Sequence, residues 1–341
     1  MRTLKYQFQQ STTAYHLGED LAQLGNYVDK SRTVLVVDEN VDKHHGHKLA
    51  GWKKLVIPDG EEHKNMEVLE QIINGLIELE ADRKTMLVGI GGGMLTDMAG
   101  FAASIYMRGI PFGFVPSTLL AQVDASIGGK NGISHGQHKN MLGIIRQPEF
   151  ILFDYTLPAT MPAGEWHNGF AEIIKYACIL DADLFNYLEQ HRDKAMERNV
   201  EVLQFLVERS VDLKTKVVLE DEFETGPRRW LNFGHTLGHA VEKIENIAHG
   251  QAVAIGMMAA AKISEKLNGF PAEQTNRIMR LLNDYQLPVT LTSDKEKVFD
   301  IFRLDKKREK DFIHFVLLDS IGKAVTKPVP LDELKQLLQE L

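Results

Sequence analysis

Short β-branched apolar runs recur through the first half of the chain, and the stretches between them have a different period. This alternation limits the fold more than any other feature. TVLVVDEN begins at Thr33, KKLVIPDG at Lys53, TMLVGIGGG at Thr85, FGFVPST at Phe112 and FILFD at Phe150. Between them, MEVLEQIINGLIELEA from Met66 carries apolar residues at helical spacing with a polar opposite face. Strands alternating with helices predict a mostly parallel sheet covered by helices, a Rossmann-like α/β domain. From about Pro158 the texture changes. GFAEIIKYACI, VEVLQFLVERSVDLKTKVV, TLGHAVEKI, AVAIGMMAAAKISEKL and TNRIMRLLNDY are helical patterns, and strands nearly vanish until DFIHFVLL. The expected organisation is an α/β domain over residues 1–160 and a mainly α-helical domain over 161–341, each long enough to bury a core.

Composition narrows the function classes. A net charge of −8 argues against wholesale nucleic-acid binding, although a local cluster of Lys and Arg can still reverse the potential where an anionic small molecule binds. The single cysteine, Cys178, rules out an internal disulfide framework and fits a reducing compartment. The longest apolar run, AVAIGMMAAAKI from Ala252, is too short for a membrane span, and MRTLKYQFQQST lacks the apolar core of a signal peptide. A cytoplasmic location without a membrane partner is expected.

Several segments could carry chemistry. TMLVGI runs directly into GGGMLTDMAGFAA, so Gly91, Gly92 and Gly93 form a strand-to-helix turn where backbone N–H groups and the helix dipole favour a phosphate. Tight packing would also use glycines there, and Asp97 one turn later could simply complement the dipole. VPSTLLAQVDASIGGKNGISHGQHKN holds Ser117, Thr118, Asp124, Lys130, Lys139 and Asn140 among small residues, a composition suited to an anion; Gly128 to Asn140 reads as a loop. In GFAEIIKY, Glu172 and Lys175 share a helix face, as a surface ion pair would. A helix starting near Leu231 would put Asn232, His235 and His239 on one stripe, with Gly234 and Gly238 thinning it for a close neighbour. His235 and His239 have the i, i+4 spacing of a zinc pair but lack the glutamate of HExxH, and His249 lies at the next helix start as a cap neighbour or a ligand.

Taken in order, GGGMLTDMAGF, PSTLLAQVDASIGGKNG, HKN, GFAEIIKY, LNFGHTLGHA and HGQAVAIGM closely resemble the 3-dehydroquinate synthases, members of the sugar-phosphate cyclase superfamily. The resemblance runs from about residue 33 into the C-terminal region. It implies conversion of 3-deoxy-D-arabino-heptulosonate 7-phosphate to 3-dehydroquinate and phosphate in the shikimate pathway, with NAD and a divalent metal, zinc or cobalt. It makes Glu172, His235 and His249 the metal ligands. NAD is expected against Asp59, Gly60, Glu61 and Lys64, against Gly92, Gly93, Met94 and Asp97, and against Ser117 and Thr118, with Lys130, Lys139 and Thr160 nearby. Lys130, Lys175, Lys214, Arg228, Asn232 and His239 are the implied catalytic set; Arg108, Asp124, Lys139, Asn140, Lys306 and Lys307 add substrate contacts. This is the basic cluster that the net charge conceals.

The chemistry implied is transient oxidation by NAD, phosphate elimination with the phosphate itself taking the proton, re-reduction and aldol ring closure. The resemblance also suggests a homodimer. Departures from the family pattern include His138, Gly164 and Gln251, the last removing a charge beside His249. Three alternatives remain at this stage: a related cyclase with another sugar phosphate, a glycerol dehydrogenase-like polyol dehydrogenase that would yield net NADH, and a non-catalytic metal- or nucleotide-binding regulator that would bind ligand without releasing phosphate.

Overall fold

The computed structural model describes residues 1–136, 138–302, 308–309 and 312–341. Two compact units emerge: Met1–Pro162 with Leu203–Glu222, and Ala163–Val202 with Phe223–Leu341.

The first unit is built on a sheet of seven strands in the order β1-β2-β9-β6-β5-β3-β4. Its strands are β1 (Arg2–Gln7), β2 (Thr12–Leu17), β3 (Thr33–Asp38), β4 (Lys53–Ile57), β5 (Met86–Gly91), β6 (Phe112–Pro116) and β9 (Phe150–Phe153), with β7 (Lys130–His135) and β8 (His138–Ile145) in a separate antiparallel hairpin. Strands β3, β5, β6 and β9 are almost wholly buried, which is why they read as continuous apolar runs rather than alternating ones. All of their pairings are parallel. β1 closes one edge antiparallel to β2; its mixed burial and basic residues suit an edge strand. Helices α1 (Glu39–His45), α2 (Met66–Glu78) and α3 (Gly93–Ile105) make the crossovers. Leu35, Val37, Val88, Ile90, Val115 and Leu152 fill the core on the sheet face covered by Val41 of α1, each contributing about 1.5–3 kcal/mol by burial, while Leu95 and Ala99 of α3 pack on the opposite face against Gly89.

One consequence of the strand order places ligands. After β3 the chain moves outward to β4, whereas after β5 it moves the opposite way to β6. The carboxyl ends of β3 and β5 therefore flank a topological switch point, where open α/β sheets bind their ligands.

The second unit contains α4 (Ala163–Leu180), α5 (Ala182–Gln190), α6 (Arg192–Met196), the start of α7 (Val200–Glu220), α8 (His235–Glu245), α9 (His249–Asn268), α10 (Ala272–Asp284), α11 (Lys295–Phe302) and α12 (Leu331–Gln339). A small antiparallel sheet of β10 (Arg308–Glu309), β11 (Phe312–Ser320) and β12 (Lys323–Pro330) completes it. Most of α7 packs with the first unit, although its sequence texture belongs to the helical half. Its polar residues explain the attachment: Glu208 accepts from Tyr155 and pairs with Arg2, while Lys214 pairs with Asp124. Among the described residues no helix is long and apolar enough to cross a membrane.

Two local expectations are corrected. Gly128 to Asn140 is not a loop, because Lys130–His135 pairs with His138–Ile145. Nor does the histidine helix begin near Leu231. Pro227–Asn232 forms a 3-10 turn, Gly234 takes φ +79, and α8 starts at His235, so Asn232 lies outside its stripe. Proline at the start of that turn and the left-handed glycine separate the two elements.

Candidate functional site

Four residues from three helices converge in the second unit. Glu172 lies in the middle of α4 and is fully buried, as is almost all of Lys175 one turn later. The lysine ammonium donates to Glu172 Oε2. This is a buried pair rather than the surface ion pair the spacing alone suggests. Glu172 Oε1 faces the other way, with His235 Nε2 at 3.3 Å and His249 Nε2 at 3.4 Å. That oxygen is buried and has no hydrogen-bond partner, an arrangement costly to maintain unless a cation completes it.

The surroundings orient the same atoms. His235 Nδ1 lies 3.2 Å from the Phe233 carbonyl, which can accept only from a protonated Nδ1 and so leaves the Nε2 lone pair available. His249 Nδ1 lies 3.5 Å from Glu242 Oε2, the carboxylate–histidine relation that supports metal-binding imidazoles. One carboxylate oxygen and two imidazole nitrogens form a three-ligand set with coordination positions left for substrate or water, so these residues fit a catalytic divalent metal.

Electrostatics agree. Burial alone would raise the Glu172 carboxyl, but the charges of Lys175 and His235 and the approach of both histidines hold it well below the usual carboxylate range. Burial lowers His235, and Lys175 lowers it further. For His249 burial also acts downward, yet Glu172 and Glu242 outweigh it and raise the imidazole to about 9. A metal entering here displaces that proton.

Close backbone packing makes the convergence possible. A Cβ on Gly256 would overlap the Gly234 carbonyl oxygen, and one on Gly238 would meet the Ala252 oxygen at 2.9 Å. The glycines that thin α8 thus admit the backbone of α9. Gly250 N–H donates to the Asn168 side chain and has no room for a Cβ against Asn168 itself, which pins the start of α9 to α4.

Within the first unit, another group of predicted residues gathers at the switch point. Gly91 ends β5, and Gly92 caps α3 in extended conformation. Ser117 N–H donates to the Gly91 carbonyl at 2.9 Å, and Thr118 lies against Gly92, where a Cβ would meet its Cγ2 at 3.2 Å. Gly93 and Met94 open α3, and Asp97 follows in the next turn. Lys64 is buried and donates to Asp97 Oδ2 at 2.6 Å and Asn140 Oδ1 at 2.7 Å. Burial opposes the charge on Lys64, but Asp97 and Glu61 outweigh it and raise the ammonium; burial raises Asp97 despite the lysine. Lys214 donates to the Asp124 carbonyl and carboxylate, both at 2.7 Å.

Sequence reasoning missed Asp38. It ends β3 beside the glycine turn, and a Cβ on Gly91 would come within 2.5 Å of its Oδ2. Burial raises its carboxyl to about 6 even though it caps Val41, and the nearby Asp59 adds to the rise. Its signal was an acid closing the run TVLVVD, legible only once β3 and β5 are known to be neighbours.

Of the remaining predicted residues, Asp59 lies near Asp38 and His239 near His235 and His249, and the others are spread over both units. Asp59 accepts from Asn40 at 2.6 Å, Gly60 takes φ +108, and Thr160 is exposed, 3.1 Å from His45 Nε2. Lys130 and Lys139 are exposed on the β7–β8 hairpin. Arg108 is not at the switch point. It is exposed with φ +69 just beyond α3, at the end of the sheet where β6 begins. In the second unit Arg228 is buried, Asn232 donates to Glu224 at 2.7 Å, and His239 is exposed one turn along α8 from His235. Lys306 and Lys307 lie outside the described residues.

Residues 54–168 match the model of the 3-dehydroquinate synthase N-terminal part, and residues 169–308 match the C-terminal part. A 3-dehydroquinate synthase from Nitrosomonas europaea is 41% identical over 89% of this chain and 82% of its own length. The chain belongs to the 3-dehydroquinate synthase family. A 3-dehydroquinate synthase from Pyrococcus abyssi is 43% identical over 84% of this chain and 85% of the relative. Among solved structures, a 2-deoxy-scyllo-inosose synthase complexed with carbaglucose-6-phosphate, NAD+ and Co2+ aligns with TM-score 0.88 at 26% identity, covering 99% of this chain and 100% of that one. A 2-epi-5-epi-valiolone synthase from Streptomyces hygroscopicus with NAD+ and Zn2+ bound aligns equally well, TM-score 0.88 at 26% identity over 100% of this chain and 99% of its own. A probable glycerol dehydrogenase from Sinorhizobium meliloti shares the fold alone, with TM-score 0.66 at 16% identity over 96% of this chain and 95% of that one.

Proposed function

We propose that the protein is a cytoplasmic, homodimeric 3-dehydroquinate synthase that converts 3-deoxy-D-arabino-heptulosonate 7-phosphate to 3-dehydroquinate and phosphate. The observation that carries this reading is the convergence of Glu172 Oε1, His235 Nε2 and His249 Nε2 in a chain of this family. Bound NAD supplies the transient oxidation and reduction, and a zinc or cobalt ion supplies Lewis-acid polarisation of the reacting oxygen.

The chain's own residues do the rest. Asp38 accepts from cofactor hydroxyls, while Gly92, Gly93 and Met94 offer backbone N–H groups to the pyrophosphate at the start of α3. Asp59, Gly60, Glu61, Lys64, Asp97, Ser117, Thr118 and Thr160 complete that binding set. Lys64 keeps Asp97 compensated. In the second unit, Lys175 offsets the charge of Glu172 and holds Oε2, so that Oε1 is left for the metal. Arg228, Asn232 and His239 bind and orient the substrate phosphate, offsetting charge as it leaves. Lys130, Lys139, Asn140, Asp124, Lys214, Lys306 and Lys307 are the further substrate contacts that the family resemblance implies. Arg108 lies at the other end of the sheet, which fits a contribution to the neighbouring copy of the homodimer.

The test is an assay of the purified protein with the seven-carbon phosphate, NAD and zinc. Phosphate and dehydroquinate should appear together with no net NADH. Phosphate release no faster than in a His235→Ala control would sink the reading, and net NADH from glycerol would favour a polyol dehydrogenase instead.

A further inference from the structure

The stripe of α8 that presents His235 continues past it. His239 and Glu242 follow at i+4 and i+7, so the three side chains leave one face of the helix in a row. His249, at the start of α9, stands against both ends of that row. Its Nε2 lies 3.4 Å from Glu172 Oε1, whereas its Nδ1 lies 3.5 Å from Glu242 Oε2. The His239 and His249 rings are 6.2 Å apart with planes inclined by 35°. One nitrogen from each of these histidines and a carboxylate oxygen of Glu242 lie within 4.8 Å of one another. Tetrahedral zinc with bonds of about 2.0–2.2 Å needs its ligand atoms roughly 3.3–3.6 Å apart, a difference that small side-chain rotations absorb.

We propose that His239, Glu242 and His249 form a second, weaker divalent-cation site, and that filling it with excess zinc or cobalt withdraws His239 from the substrate and inhibits the enzyme. The inference rests on the proposed metal role of Glu172, His235 and His249. Two features make the second site the weaker one. His239 is exposed and Glu242 only partly buried, whereas the first set is closed around the buried Glu172. In addition, His249 is shared: with Nε2 on the first ion, Nδ1 reaches the second only after the ring releases its remaining proton to solvent and gives up the Nδ1–Glu242 contact that supports the first, a loss of the kind that costs roughly 10–100-fold in affinity. Ion and substrate phosphate compete for the same His239 imidazole.

Equilibrium dialysis of the metal-free full chain against increasing Zn2+ reads this directly. Wild type should bind one tight equivalent and then a second with a dissociation constant higher by roughly 10–100-fold. His239→Asn should remove the second equivalent and keep the first at unchanged affinity, whereas Glu242→Gln should remove the second and weaken the first by roughly 10–100-fold without abolishing it; Glu172→Gln should remove the tight equivalent and leave the weaker. In turnover assays, Zn2+ beyond the first equivalent should raise the apparent KM of wild type at unchanged kcat, and the rise should disappear in Glu242→Gln. A single equivalent in wild type, or a second that survives both His239→Asn and Glu242→Gln, overturns the proposal and leaves the proposed function standing. A wild type without any tight equivalent sensitive to Glu172→Gln overturns the function reading itself.

Discussion

At the switch point of the sheet, the groups offered to a ligand include the backbone N–H groups at the start of α3, beside the side chains of Asp38, Lys64 and Asp97. In the helical unit they are side chains alone, Glu172 from α4 and His235 and His249 from the consecutive helices α8 and α9. A backbone site fails when a Cβ fills it, whereas a side-chain site fails when one donor atom is removed and the charges left behind are buried. The two should therefore break in different ways.

The largest effect is expected from Glu172→Ala. It removes a proposed metal donor and leaves Lys175 as a buried cation without its partner, which should abolish metal binding and cost about 3–5 kcal/mol of stability. Adding Lys175→Met should restore much of the stability but none of the metal; denaturant midpoints and metal content check both. Next comes His239→Ala, which should leave the tight metal in place and lower turnover by about 10²–10³-fold. Loss of the tight metal in that variant would break the division between His235 and His239.

Smaller effects should separate the other region. Gly91→Val drives a side chain into Asp38 and Leu95, so it should cost about 1–3 kcal/mol and weaken NAD binding while metal content stays unchanged. A parallel loss of metal would show that the two sites fail together. The last test is pH. The Asp38 carboxyl is raised to about 6 in the folded protein, so folding favours its protonated form. Its contribution is fully present below the unfolded value near 3.8 and is lost as pH rises through about 6. Compared with Asp38→Asn, wild type should lose about 1–2 kcal/mol between pH 4 and pH 7, the full shift being reduced for residual solvent screening. Equal differences at both pH values would remove the buried-acid account.

The α/β half was legible because its strands are buried on both faces, and Gly91 to Gly93 follow one of them directly. The β7–β8 hairpin was not, since glycines within Lys130–Asn140 mask its strand pattern. For α8, Pro227 and Gly234 were visible in the sequence, but the 3-10 turn between them was not. Asp38 carried no local sign of its neighbour.

The sequence by itself determined the alternation of strands and helices, the glycine turn, the types of donor present and, through ordered motifs, the family. Only the tertiary structure decided which donors meet. Helical spacing pairs His235 with His239, whose rings stand 5.5 Å apart, and that pairing is local. Turning Glu172 Oε1 toward His235 and His249 requires α9 to lie against α8 at Gly238 and Gly256, and Lys175 to take the other carboxylate oxygen. Those contacts, between the consecutive helices α8 and α9, between that pair and α4, and within α4, are set by close packing and by charge compensation inside the core.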